Sequence, residues 1–100
     1  MRRRNLIGRT ISRLRSEQNW SQNDLATRLQ LAGVDISRDM IARIELGLTK
    51  VSDELIVGLQ RVFRVPITRL FPRYVQDQDH EFAKREKNPA PRKPNQRRRS

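Results

Sequence analysis

Apolar residues recur at helical spacing in five segments of the sequence, and polar residues fill the positions between them. Intervals of three and four residues place such side chains on one face of a helix. The pattern therefore predicts an all-α chain of five helices with no strand, whose core is built from these faces. The apolar positions are Leu6, Ile7, Ile11 and Leu14; Leu25, Ala26 and Leu29; Met40, Ile41 and Ile44; Leu55, Ile56, Leu59, Val62 and Phe63; and Ile67, Leu70 and Phe71.

The second helix has a well-marked start at Ser21. Ser21 and Asp24 have capping-box spacing, in which the hydroxyl and the carboxylate accept hydrogen bonds from N–H groups near the start of a helix. Trp20 and Leu25 flank this cap at the spacing of a hydrophobic staple, which fixes how the chain enters the helix.

The third helix begins after a turn. Ser37 can cap it, and Gly47 is the expected left-handed residue just past its end. Gly33 is predicted to end the second helix, with Val34 and Ile36 packed under the turn. Two short helices joined by a turn indicate a helix-turn-helix, in which the second helix lies in the DNA major groove and the first crosses the backbone.

A serine and two prolines bound the last two helices. Ser52 is a plausible cap, with Asp53 and Glu54 in the first turn of the fourth helix, where acids are favourable. Pro66 suits the first turn of a short fifth helix that ends before Pro72.

These positions, taken in order, resemble the Cro and phage-repressor type of helix-turn-helix domain, the XRE family. The resemblance implies a compact, five-helix, lambda-repressor-like fold over roughly residues 5 to 72. One departure is the turn QLAGVDIS, which is longer than the family's tightest version. The matching positions are Ile11, Leu14 and Arg15; Ser21, Gln22, Leu25 and Ala26; Ile41, Ile44, Glu45 and Gly47; and Leu55, Leu59, Val65, Leu70 and Phe71.

The resemblance also implies which side chains read bases. Arg38, Asp39 and Arg43 match the positions of the recognition helix that reach base edges. Arginine reads guanine through O6 and N7, a contact worth about 1 to 3 kcal/mol of discrimination. Asp39 could accept a hydrogen bond from a cytosine amino group, or instead hold Arg38 or Arg43 in place. Met40 could touch a thymine methyl, although we expect it mainly in the core.

Other positions match family residues that hold the complex or the fold together. Gln22, Thr49 and Lys50 are implied to contact phosphates, which sets register without reading sequence. Gln22 would also brace the recognition helix. Arg15 and Glu45 match a family pair that forms a salt bridge between the first and third helices. We expect this pair to act through stability and not to contact DNA.

The formal net charge of +11 lies entirely at the two ends of the 100-residue chain. Residues 1–15 carry six arginines and no acid, residues 88–100 carry five basic side chains and no acid, and residues 16–87 are balanced. Such ends suit a phosphate-seeking protein. We divide the chain into a basic arm (1–4), the helix-turn-helix domain (5–72), a polar extension that could form a helix (73–87) and a disordered basic tail (88–100). A solubilising role is the alternative for that tail.

Composition argues against several other classes of protein. There is no cysteine, so disulfides and thiolate metal sites are excluded. The N-terminal apolar stretch is too short for a signal peptide or membrane span, and we expect a cytoplasmic, nucleoid-associated protein. The single histidine, His80, is expected at the surface. No glycine-rich phosphate loop or metal-ligand cluster is present, so we predict no enzyme activity and no cofactor.

The expected partner is double-stranded DNA, bound by a transcriptional regulator of repressor type. We expect a weak homodimer, or a dimer that forms only on DNA, through the fourth or fifth helix. One alternative is an antitoxin-like protein whose C-terminal tail folds on a protein partner while the helical domain binds DNA and regulates its own promoter. The other is sequence-tolerant binding to DNA or RNA through the basic ends, with RNA disfavoured because aromatic residues are scarce.

Overall fold

A computed structural model of the chain describes residues 2–78 and Glu81, and the regular structure in this part is entirely helical. The elements are α1 (Gly8–Glu17), α2 (Gln22–Leu31), α3 (Arg38–Glu45), α4 (Asp53–Phe63) and a 3₁₀ helix (Ile67–Leu70). The all-α, five-helix prediction is therefore confirmed. Residues 73–78 form one more helical segment. His80 and the predicted tail, 88–100, lie outside the described residues.

The helices pack so that α3 is held from two sides. It contacts both α1 and α2, while α4 contacts α2 and the 3₁₀ helix. Large aliphatic side chains fill the space between them, and a fully buried one contributes about 1.5 to 3 kcal/mol. The face of α3 that neither neighbour covers is left to solvent. The core residues are Ile7, Ile11, Leu14, Leu25, Ala26, Leu29, Ile36, Ile41, Ile44, Leu55, Leu59, Phe63 and Leu70.

The three predicted serine caps are all present. The hydroxyls of Ser21, Ser37 and Ser52 each accept a hydrogen bond from the backbone N–H three residues later, at 2.9 to 3.1 Å. Asp24 completes the capping box by accepting from the Ser21 N–H at 2.8 Å. This backbone hydrogen bond, followed by the one from the Ser21 side chain, lowers the pKa of the Asp24 carboxyl.

The turn between α2 and α3 is long but packed. Ile36 is buried and Val34 is half-buried against the core, as predicted. The Gln30 side chain donates to the Ile36 carbonyl at 2.6 Å, which ties the turn to α2. Gly33 and Gly47 follow α2 and α3 with φ of 93° and 78°, so the predicted end of α2 at Gly33 and the predicted left-handed residue at Gly47 are both confirmed.

Two residues assigned to the core, Leu6 and Ile67, and one predicted helix start are wrong. Leu6 is 52% exposed and lies before the start of α1, whereas Asn5 next to it is buried. Ile67 is exposed, since the fifth helix is a single 3₁₀ turn and only Leu70 at its end is fully buried. Pro66 precedes that turn with extended backbone instead of lying inside it.

Among residues 2–78 and Glu81, no helix combines the length and apolar character needed to cross a membrane.

Candidate nucleic-acid interface

One face of α3 presents polar and charged side chains to solvent. Arg38, Asp39 and Arg43 are all exposed, while Ile41 and Ile44 on the opposite face are buried. The helix is thus anchored by one face and free on the other. This is the arrangement that a helix needs in order to enter a groove without losing its packing.

Met40 lies on this exposed side, and its assignment to the core is wrong. Its side chain is 40% exposed, although it follows the same three-and-four spacing as the buried isoleucines. The reason is geometric: Met40 lies in the first turn of α3, at the edge of the face that α1 and α2 cover. Its thioether is therefore accessible to a ligand of α3.

Arg38 and Asp39 form an ion pair at the start of α3. Arg38 Nη1 lies 2.7 Å from Asp39 Oδ1, and the two side chains are 56% and 86% exposed. An acid here also interacts favourably with the positive end of the helix dipole. Because water screens an exposed pair, it contributes little to stability, typically below about 1 kcal/mol. Both side chains are consequently available to a partner at small energetic cost.

Arg15 and Glu45 form a much more buried pair at the other end of α3. Arg15 Nε lies 2.7 Å from Glu45 Oε2, and Arg15 Nη2 lies 3.0 Å from Oε1, so the contact is bidentate. The third nitrogen, Nη1, donates to the Trp20 carbonyl at 2.7 Å. The side chains are only 16% and 6% exposed. Through this contact α1 and the loop before α2 are joined to α3.

Gln22 contributes to the same cluster from the first turn of α2. Its Nε2 donates to Glu45 Oε1 at 3.0 Å, so the Glu45 carboxylate accepts from both Arg15 and Gln22. The side-chain hydrogen bond to Glu45 raises the pKa of Arg15, against an opposing effect of desolvation. We call Arg15, Gln22 and Glu45 the Glu45 cluster. It fixes the first three helices relative to one another.

Thr49 and Lys50 lie in the loop between α3 and α4. Lys50 is exposed, and Thr49 is half-buried, with its carbonyl accepting from the Asn5 side chain at 2.8 Å. Lys50 also lines a cleft together with Arg2, Arg3 and Arg4. Of the predicted phosphate contacts, Lys50 is exposed and Thr49 is half-buried, while the Gln22 side chain is engaged in the Glu45 cluster.

Asn5 is a structural residue that the sequence analysis did not identify. Its side-chain oxygen accepts from the N–H groups of Ile7 and Gly8, at 3.1 and 2.7 Å, at the start of α1. Its amide donates to the carbonyls of Ile44 and Thr49. Asparagine before an apolar run is a known N-terminal helix signal, so this half of its role was readable. The contacts to the end of α3 were not, because they join residues about forty positions apart.

In the part of the chain that the structure describes, no group of His, Asp and Glu side chains has the arrangement of a metal site. Among known proteins, a family model described as helix-turn-helix matches residues 11–70, from α1 to the end of the 3₁₀ helix. No curated protein matches the chain as a relative.

Proposed function

We propose that this chain, which belongs to the Cro/C1-type helix-turn-helix family, is a repressor that binds a specific duplex DNA sequence. The family is a DNA-binding class of transcription-regulator domain and is typically non-enzymatic. α3 lies in the major groove, and α2 crosses the phosphate backbone. The protein acts in the cytoplasm, on the nucleoid.

One observation carries this proposal: α3 is rigidly held on one face while its other face is exposed and carries two arginines. Ile41 and Ile44 fix it to the core, and the Glu45 cluster fixes its far end. Arg38 and Arg43 are then presented from a pre-ordered helix, so binding need not order the reading element. Sequence discrimination by a bidentate arginine depends on such fixed geometry.

The exposed side chains take different roles in this complex. Arg38 and Arg43 read guanine, and Met40 offers an apolar contact to a thymine methyl group. Asp39 positions Arg38 through their ion pair and adds repulsion against a wrongly placed phosphate. Lys50, with the Thr49 loop and the start of α2 at Gln22, contacts the phosphate backbone.

Two copies of the chain bind as a weak dimer, or as a dimer that forms only on DNA. Two-fold symmetry of the protein then matches an inverted repeat whose half-sites lie about 34 Å apart, one turn of the duplex. Exposed apolar residues on α4 and the 3₁₀ helix, Val57 and Ile67, are candidates for the contact between copies.

Selection from a random duplex library tests the proposal. The full chain at about 0.15 M salt would be used to retain duplexes, and the bound fraction would be sequenced after several rounds. We expect one enriched motif, and an inverted repeat if the protein binds as a dimer.

Two other outcomes would contradict the proposal. Retention without enrichment would favour sequence-tolerant binding through the basic ends, because phosphate contacts carry no sequence information. Absence of retention would contradict DNA binding and direct the search to a protein partner. Capture of a protein partner by residues 73–100 alone would favour the antitoxin-like alternative, whereas DNA binding by residues 1–72 alone would favour the repressor.

A further inference from the structure

Residues 2–5 lie against the far end of α3 instead of extending away from the domain. The Arg4 N–H donates to the Gly47 carbonyl at 2.8 Å. The side-chain amide of the next residue, Asn5, donates to the carbonyls of Ile44 and Thr49. The basic segment at the start of the chain is therefore attached to the same helix that is proposed to read DNA.

Arg3 anchors this segment. Its Nη2 donates to the Glu45 carbonyl at 2.7 Å, at the carboxyl end of α3, where the helix dipole favours a cation. The side chain fits there because two neighbours are glycines. A Cβ on Gly47 would lie 2.7 Å from Arg3 Cζ, and a Cβ on Gly8 would lie 2.8 Å from Arg3 Nη2. Arg3 is half-buried as a result, and its charge is used within the fold.

The neighbours of Arg3 remain free to act outside the fold. Arg2 and Arg4 are exposed, and together with Arg3 and Lys50 they line an open cleft of about 350 Å³. Among the residues that the structure describes, the four that line this cleft are all basic. Like charges gathered in one cleft repel one another, and an anion placed between them removes that repulsion. We call these four residues the basic cleft.

We propose that the basic cleft binds the phosphate backbone of duplex DNA next to the segment that α3 reads. Arg2, Arg4 and Lys50 contact the phosphates, and Arg3 is a positioning residue that fixes the other two arginines against α3. This inference rests on the proposed function and adds a second contact region to it. Because Arg3 pre-orders the segment, it binds as part of the domain surface and not as a free arm.

The salt dependence of DNA binding measures these contacts. The probe is a duplex of about 20 base pairs with random sequence, so that the measurement does not depend on knowing the operator. Binding of the full chain would be measured between 50 and 200 mM salt. The test variant is Arg2→Gln/Arg4→Gln. Its control is Arg61→Gln/Arg64→Gln, which removes the same charge from exposed residues of a different cleft.

The two double variants should differ clearly. Each phosphate neutralised by a cation contributes about 0.9 to the slope of log K against log salt concentration. Loss of the contacts from Arg2 and Arg4 should lower that slope by about 1 to 2 and weaken binding at 50 mM salt about tenfold or more. The control should change the slope by less than about 0.5, since it removes charge from residues that are assigned no phosphate contact.

The role of Arg3 is tested by coupling. Arg3→Met removes the anchor, and we expect the further change Arg2→Gln/Arg4→Gln to have much less effect on the salt slope in this background than in the wild type. A purely structural Arg3 would lower the melting temperature but leave the effect of the double variant unchanged. Circular dichroism at the binding temperature verifies that each variant is folded.

The outcomes separate this inference from the proposed function. A reduced slope in the test variant only, together with coupling to Arg3, supports the basic cleft. Equal slopes for test and control variants, with the wild type still binding DNA, would overturn the cleft and leave the proposed function in place. Failure of the wild-type chain to bind any duplex at 50 mM salt would overturn both.

Discussion

The two ends of α3 carry the same chemistry in opposite surroundings. At its start, Arg38 and Asp39 form an ion pair at 2.7 Å with both side chains in solvent. At its end, Arg15 and Glu45 form an ion pair at the same distance with both side chains largely buried. The distance alone therefore does not distinguish a contact that maintains the fold from one that is available to a ligand.

Solvent exposure separates the two roles. A buried charge that loses its partner must bear the full cost of desolvation. Separating Arg15 from Glu45 is therefore strongly unfavourable. An exposed charge recovers its hydration when its partner leaves, so Arg38 and Asp39 can exchange partners. One helix of eight residues thus combines an end fixed in the fold with an end that can exchange its contacts for those of a ligand.

The largest expected effect comes from breaking the buried pair. Glu45→Ala leaves the Arg15 guanidinium without its carboxylate and removes the acceptor of Gln22, so we expect a loss of about 3 kcal/mol in the free energy of unfolding. Urea denaturation at neutral pH measures this loss. Asp39→Ala is the matched control on the exposed pair and should change the free energy by less than about 0.5 kcal/mol.

Equal urea midpoints for Glu45→Ala and the wild type would show that the Glu45 cluster does not maintain the fold. A large loss in Asp39→Ala would show that the exposed pair is structural as well. Either result would remove the distinction between the two ends of α3.

A second comparison sets a reading residue against a phosphate contact. Arg43→Ala should reduce the preference for the selected sequence over random duplex by about 1 to 3 kcal/mol, because it removes a bidentate base contact. Lys50→Ala should weaken binding to both duplexes alike and lower the salt slope by about 1. Fluorescence anisotropy with the two duplexes measures both quantities. Identical effects of the two variants would contradict these roles.

A smaller effect on DNA affinity is expected from changing the exposed pair of Arg38 and Asp39. Asp39→Asn removes a negative charge near the proposed phosphate path and releases Arg38, so affinity for random duplex should rise by about two- to fivefold. The ratio of specific to random affinity should fall. If instead only the specific complex weakened, Asp39 would be a base contact and not a positioning residue.

The smallest expected effect concerns pH. The folded-state pKa of Asp24 lies below its unfolded value of about 3.9, so its carboxylate stabilises the fold above that pH. This contribution is lost as pH falls through the lower folded-state pKa. The difference in melting temperature between the wild type and Asp24→Asn should therefore shrink between pH 5 and pH 2. A constant difference over this range would contradict the capping role of the charged form.

Local signals predicted the helices well, because caps and apolar spacing act within a few residues. Ser21, Ser37 and Ser52 cap the helices as expected, and Gly33 and Gly47 end two of them. These effects depend on the backbone of one turn, which is encoded next to the capping residue. Boundaries that depend on packing were less accurate, as the fifth helix illustrates.

Long-range contacts were predicted only where a family pattern supplied them. The contact between Arg15 and Glu45 joins residues thirty positions apart, and it was predicted only because both residues match a pair in the family pattern. No sequence pattern separates Arg3 from its neighbours Arg2 and Arg4. Its contact with the end of α3 could therefore be found only in the folded structure. Met40 was misplaced for a similar reason: helical spacing predicts a face but not how much of that face a neighbour covers.

Amide chemical shifts of the full chain, followed by NMR as the selected duplex is added, test whether α3 reads the DNA. We expect the largest changes in residues 38–43 and in the loop that carries Lys50, with small changes in α4. Changes confined to the basic ends of the chain, with residues 38–43 unaffected, would contradict the claim that α3 reads the DNA.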